Sequence, residues 1–401
     1  MHAIYAFGLL ILLAFLGSRL IRKGKRTFSP LTLIFHSGLV YILLGLYLGR
    51  RGLGVLSPQV LQGLYPVFSL GLGWVGFLFG FQLEYRYLKR FPRRYVWLSL
   101  SLFLTVTILT AAPLVWVFEQ WFDDPRFFLH GMAGALGLLA GIHSPTLLNL
   151  VSSWMPKRGN YHYLARFLVS VGGFWGVVGM ALLASFWHFP VIGQGILTKG
   201  FIMLGMSTLL PLLLGILFHH LTAKRVSESE LLVYLLGMVF FVSGAGFYFN
   251  LLPLYVCMIL GIVYSNLTRR HERIYPILLA AEKPLYIVLL ILVGALWEFD
   301  LDLRIALLVL LLLGLRLAGH VFGAPFWGRL LKFPFRLPLA FGVSLMSAGG
   351  LGVAFAVSIK IAYPMALTDT FLSVALLGII LGEIISPWAI KVSLYRLGSR
   401  A

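Results

Sequence analysis

Charge is scarce in this chain: of 401 residues only 11% are Asp, Glu, Lys or Arg, and just 13 are acidic. A soluble protein of this length needs far more charge to cover its surface, so an array of soluble domains is excluded. Cysteine is almost absent. The single Cys257 lies inside an apolar block, which rules out an intrachain disulfide and a cystine-stapled secreted module. Long polar connections are missing too, so no kinase, nuclease or glycosidase domain fits between the apolar blocks. There is no Walker motif, and no Cys/His cluster suggests haem or iron–sulfur ligation. Neither a nucleophile–base pair nor a carboxylate cluster points to a membrane-embedded enzyme. The chain reads as a non-enzyme, with no cofactor expected.

What fills the sequence is hydrocarbon. Hydrophobic residues make up 60% of it and the mean hydropathy is +0.94. These residues recur in blocks of roughly 18 to 25, long enough to cross a bilayer as helix. The segments are 3–18, 30–49, 62–82, 95–118, 127–149, 164–189, 198–219, 230–243, 246–265, 283–297, 304–321, 337–357 and 366–389. The expected fold is an all-α polytopic membrane protein of about thirteen transmembrane helices. The nearly continuous stretch 230–265 is divided at Gly244–Asn250, because one helix of that length would be about 54 Å long and overshoot the membrane. The first segment reads as a retained helix rather than a signal peptide, since its basic run, Arg19 to Arg26, follows the apolar stretch.

The formal net charge of +19 invites a nucleic-acid reading, but the positions of the basic residues favour the membrane. With the N-terminus outside, only Arg50, Arg51, Arg126, Lys199, Arg304 and Lys360 fall in outer connections, and Arg316 lies within a span. The other 25 of the 32 Lys and Arg fall on the cytoplasmic side. Such a bias is the mark of positive loops retained inside. The acidic connections 119–124 and 298–302 fall outside. The expectation is a multi-pass protein of the cell membrane, an inner membrane, with a cytoplasmic C-terminus, the lipid bilayer as its partner and no nucleic acid.

Two spans carry interruptions. "GLLAGIHSPTLLNL" (137–150) contains Pro145, which lacks an amide hydrogen and disturbs the preceding turn, flanked by Ser144 and Thr146. "FGVSLMSAGGLGVAFAV" (341–357) contains Gly349 and Gly350, with Ser344 and Ser347 upstream. A break inside lipid leaves backbone groups unpaired unless protein, water or an ion meets them. The interruptions lie seven spans apart and so run in opposite directions, which points to an inverted-repeat transporter with its site near the midplane. His36, His130, His143 and His320 read as isolated packing residues.

In these segments the sequence resembles the monovalent cation/proton antiporter superfamily, in particular its bacterial proton-antiporter-2 branch and its sodium/proton exchangers. The resemblance runs over roughly 30–390. It rests on "GLVYILLGLYLG" (38–49), "LGLGWVGFLFGFQLEYRYLKR" (70–90), "GIHSPTLLNLVSSW" (141–154), "GIVYSN" (261–266) and "EKPLYIVLLILVGALWEFDL" (282–301), in the family's order. It implies an inverted-repeat fold with two crossing broken helices, forming a single transporter-like domain over 1–401. The first repeat region is 30–220 and the second 230–390. It also implies antiport of protons and monovalent cations, and a homodimer.

The family's core carboxylates are missing. "RFLVSVGGFWGVV" (166–178) has Gly172 and Gly173 where they belong. The late arginine–glycine–acid signature is matched by Ala348, Gly349 and Gly350 in "SAGGLG". A basic residue in the preceding span is represented by Arg316. The expected function is a secondary transporter of antiporter kind with atypical ion-binding residues. His143, Ser144, Thr146, Ser347 and the interrupted backbone are its permeant-site candidates, and His143 is the proton-responsive member. Two other classes stay open: a carrier or channel for an anion or neutral solute, drawn by Arg316, and a non-transporting scaffold or sensor. Glu383, in "FLSVALLGIILGEIISPWAI" (371–390), is the remaining acid near the hydrocarbon boundary, with a structural or gating hydrogen bond as its expected role.

Overall fold

A computed structural model of the chain describes residues 5–6, 8–15, 38–153, 159–187, 196–222, 227–268, 271–299 and 302–398. Among them every regular element is a helix. Among the described residues seven helices are long and apolar enough to cross a membrane: Arg93–Trp121, Asn160–Trp187, Thr198–Leu221, Glu230–Tyr248, His271–Leu296, Leu303–Leu330 and Ala366–Ser393. The protein has an all-α polytopic membrane fold. Its chain divides into two compact units that alternate along the sequence, one of Met1–Leu88 with Thr198–Phe299, the other of Lys89–Leu197 with Asp300–Ala401. The two ends of expected span 3–18 and the start of 30–49, with His36, lie outside the described residues, as do the basic residues at 19–26, 157–158, 224–225, 269–270 and 400.

In the first unit Tyr65–Phe81 packs along Pro253–Leu267. Gly76 and Gly80 sit against the carbonyls of Leu254 and Met258, and Gly261 against that of Phe77. A side chain at any of these glycines would strike backbone, so the seam is a small-residue contact of the kind that lets membrane helices approach closely. The chain divides within the expected interval Gly244–Asn250, at its far end. Helix Glu228–Tyr248 runs through Gly244 and Gly246, and the chain turns at Asn250, whose φ of 54° is a conformation Asn tolerates. Pro253 then opens the next helix, where a missing amide hydrogen costs nothing. Helix His271–Leu296 begins well before the expected 283, continuing through Pro276 and Pro284.

The second unit contains both interruptions. Expected span 127–149 is two helices, Arg126–Gly141 and Pro145–Ser153. Expected span 337–357 is also two, Leu339–Val343 and Gly349–Ala362, so the non-helical stretch lies over Ser344–Ala348 rather than reaching Gly350. Helices Leu303–Leu330 and Ala366–Gly398 pack against both.

Candidate functional site

The first interruption follows from its sequence. Pro145 cannot donate the next helical hydrogen bond and pushes Ser144 towards extended backbone. The helix stops at Gly141, Ile142 is extended (φ −74°, ψ 136°), and a helix resumes at Pro145. The Ile142 carbonyl left over inside the protein accepts a hydrogen bond from Arg316 Nη2 at 2.8 Å. Arg316 comes from helix Leu303–Leu330 and is 3% exposed. Burying an arginine at membrane depth costs roughly 2.5–3.5 kcal/mol even on insertion scales, and a carbonyl partner offsets part of it.

The second interruption exposes the opposite kind of group. Gly349 takes φ +55°, a left-handed conformation suited to glycine, and starts helix Gly349–Ala362. The amides at its start have no helical acceptor. Glu383 Oε1, from helix Ala366–Gly398, accepts from Gly349 N–H at 2.8 Å, Ala348 N–H at 3.0 Å and the Ser347 hydroxyl at 2.9 Å. A carboxylate at a helix N-terminus also meets the positive end of the helix dipole. The two interruptions are bonded to each other, Ser144 N–H donating to the Ser347 carbonyl at 2.9 Å. Arg316 and Glu383 thus bring a basic and an acidic side chain to the two sides of this junction.

His143 does not stand alone, contrary to the sequence expectation. Its Nε2 lies 2.6 Å from Nε2 of His320, with the rings perpendicular, and His320 Nδ1 lies 2.7 Å from the Arg316 carbonyl. Both histidines are buried. Helix Asn160–Trp187 closes the other side with glycines: a side chain at Gly172 would collide with His143 Nδ1, and one at Gly176 with Ile142. At the position where the resemblance leads one to expect an acid, a neighbouring imidazole therefore fills the space. Gly173 is buried on the same helix, and Gly350 sits in the first turn of Gly349–Ala362. The Thr146 backbone is helical, while its side chain lies outside the described residues.

The structure brings His143, Ser144, Arg316, Ser347, Gly349 and Glu383 to one junction, together with Gly172. His320 is the residue the sequence reading passed over. One signal pointed to it: it follows Arg316 by four residues, placing two polar groups on one face of an apolar helix. Of the remaining histidines, His130 pairs with Glu119 at 2.7 Å. No group of three or more His, Cys, Asp or Glu able to hold a metal occurs among the described residues.

No protein-family model matches the chain, and no curated protein matches it. Solved structures do. The sodium proton antiporter MjNhaP1 from Methanocaldococcus jannaschii, determined at pH 8, superimposes with a TM-score of 0.68 at 17% identity, covering 98% of each chain. An electron-microscopy map of the same antiporter gives 0.68 at 16% identity, covering 99% of this chain and 98% of the other. The protein is thus similar in fold, over essentially its whole length, to a sodium proton antiporter.

Proposed function

We propose that the protein is a secondary transporter related to the monovalent cation/proton antiporters, exchanging protons for a monovalent cation through an altered site. The observation that carries this reading is the bonded pair of interruptions, Ser144 to Ser347, within a fold shared end to end with a sodium proton antiporter. Irregular backbone at membrane depth persists where it lines a path or a site. The permeant ligands are the carbonyls of the interrupted segments and the hydroxyls of Ser144, Thr146 and Ser347, with Gly172, Gly173 and Gly350 giving close backbone approach. Arg316 and Glu383 hold the two halves in register. In the full reading about thirteen spans form two inverted repeats whose broken helices cross, with the N-terminus outside, the C-terminus cytoplasmic and two copies forming a homodimer. Both compact units draw one segment from each half of the chain, which supports the repeat.

The test is flux from purified protein in proteoliposomes loaded with a pH-sensitive dye. Pulses of Na⁺, Li⁺ or K⁺ are expected to drive proton movement between about pH 6 and 9, a range that overlaps the ordinary titration of histidine. Silence with all three cations, in correctly inserted protein, rejects cation exchange.

A specific observation favours a second reading, anion transport: Arg316 Nε is buried with no hydrogen-bond partner among the described residues. Anion efflux that falls with Arg316→Gln and is retained with Arg316→Lys is the outcome this reading requires.

A further inference from the structure

The histidine pair has a definite proton arrangement. A carbonyl oxygen only accepts, so the 2.7 Å contact to the Arg316 carbonyl fixes the hydrogen of neutral His320 on Nδ1. Its Nε2 is then a bare lone pair, and the 2.6 Å contact requires His143 to donate from Nε2. That leaves His143 Nδ1 as a lone pair. It is fully buried and has no hydrogen-bond partner among the described residues, a costly state for a polar atom. Gly172 is what leaves room for it, since a side chain there would overlap this nitrogen.

We propose that His143 and His320 form a one-proton site that is loaded at His143 Nδ1, replacing a carboxylate as the group that carries the proton. This rests on the antiport reading and identifies its proton-binding group. The incoming proton bonds to His143 Nδ1, and the hydrogen on His143 Nε2 moves along the short contact to His320 Nε2. His143 ends neutral with its hydrogen on Nδ1. His320 ends as an imidazolium, with Nδ1–H still on the Arg316 carbonyl. One proton enters and the pair gains one positive charge, carried by His320.

That charge appears among groups that respond to it. Arg316 lies one turn before His320 on the same helix and holds the carbonyl of Ile142, the residue next to His143. Glu383 faces the junction from Ala366–Gly398. Among the described residues, the other packed elements meet this region through Gly172 of Asn160–Trp187, Gly342 against the His320 carbonyl, and Val106 of Arg93–Trp121 against Gly319. A proton on the pair and a cation at the neighbouring carbonyls and hydroxyls repel each other in a medium of low dielectric. Each therefore displaces the other without sharing a ligand, which is the competition that exchange needs.

The experiment is nitrogen-15 NMR of histidine-labelled protein in lipid nanodiscs, with His143 and His320 assigned by difference from His143→Gln and His320→Gln. At high pH His320 is expected to carry hydrogen on Nδ1 and His143 on Nε2. Acidification is expected to add one proton to the pair, with both rings responding together. Hydrogen on His143 Nδ1 at high pH, two independent titrations, or no titration between about pH 5 and 9 overturns the proposal, and the unsubstituted protein alone suffices to detect any of these. In proteoliposomes each Gln variant that folds is expected to lose proton-coupled flux at least about tenfold. Unchanged coupling in a folded variant removes the pair from the pathway while antiport stands. A one-proton pair in a protein without cation-dependent flux supports the proton site and rejects antiport.

Discussion

At the first interruption a helix ends inside the protein and leaves a carbonyl, which Arg316 meets; at the second a helix begins and leaves amide hydrogens, which Glu383 meets. The assignment of charge follows the backbone: a cation suits the carbonyl end of a helix and an anion suits the amide end. The restarting helices differ in the same logical way. One opens with Pro145, which has no hydrogen to satisfy. The other opens with Gly349, whose amide and that of Ala348 converge on one carboxylate oxygen. Glu383, the acid at this junction, has the geometry of a helix cap.

Removing the anionic cap gives the largest expected effect. Glu383→Ala leaves two amides and the Ser347 hydroxyl unpaired in a buried place and takes away the counter-charge of Arg316, a loss of about 3–5 kcal/mol. Glu383→Gln keeps an acceptor of nearly the same shape and is expected to lose about 1–2 kcal/mol, the difference between a charged and a neutral hydrogen bond. Thermal unfolding in lipid nanodiscs measures both. Equal losses mean that Glu383 is not the cap of Gly349–Ala362.

Removing the cationic partner comes next. Arg316→Met preserves length and packing but leaves the Ile142 carbonyl without its donor, about 1–3 kcal/mol. Combined with Glu383→Gln the loss is expected to be smaller than the sum of the single losses, by about 0.5–3 kcal/mol. Strict additivity indicates that the two interruptions are held independently.

Much of this junction can be read in the chain, because its punctuation is covalent. Pro145 marks one break, the Gly349–Gly350 pair marks the other, and Arg316 and Glu383 stand out as charges inside apolar runs. What each charge touches is not readable, because contacts between residues 142 and 316, or 349 and 383, depend on how four helices pack. His320 escaped for the same reason: its partner is 177 positions away. The vacancy at Gly172 reads in sequence as a lost acid, and only packing reveals that an imidazole stands against it. The proline-containing helix His271–Leu296 shows local signals overruled by packing, since proline in a membrane helix is tolerated when neighbours satisfy the freed carbonyl.

A smaller perturbation sharpens the comparison at the start of the second helix. Gly349→Ala places a Cβ on a residue with φ +55°, costing about 1–2 kcal/mol. The Glu383 hydrogen bonds are expected to survive it, so its loss and that of Glu383→Gln should add. If Gly349→Ala instead abolishes the effect of Glu383→Gln, the left-handed turn and the cap are one device.

The smallest effect is expected at Pro145, and it tests the other half of the comparison. Pro145→Ala restores an amide hydrogen at the first helical position and frees the unfolded chain to sample more conformations. The second effect alone lowers stability by about 0.4–1 kcal/mol. If the first interruption is held by Arg316 on the Ile142 carbonyl and by Ser144 on Ser347, neither contact needs the proline ring, and the loss should stay in that range. Both contacts involve residues that remain in place, so proton-coupled flux should also be near that of the unsubstituted protein. A loss approaching that of Glu383→Ala carries a different meaning. The added hydrogen would then be buried without an acceptor, or the chain would have rebuilt a continuous helix through 142–144 and pulled the Ile142 carbonyl away from Arg316. The double variant Arg316→Met with Pro145→Ala separates these outcomes. A rebuilt helix makes the arginine dispensable, so the second substitution adds almost nothing to the first, whereas an orphaned amide adds its full cost in either background.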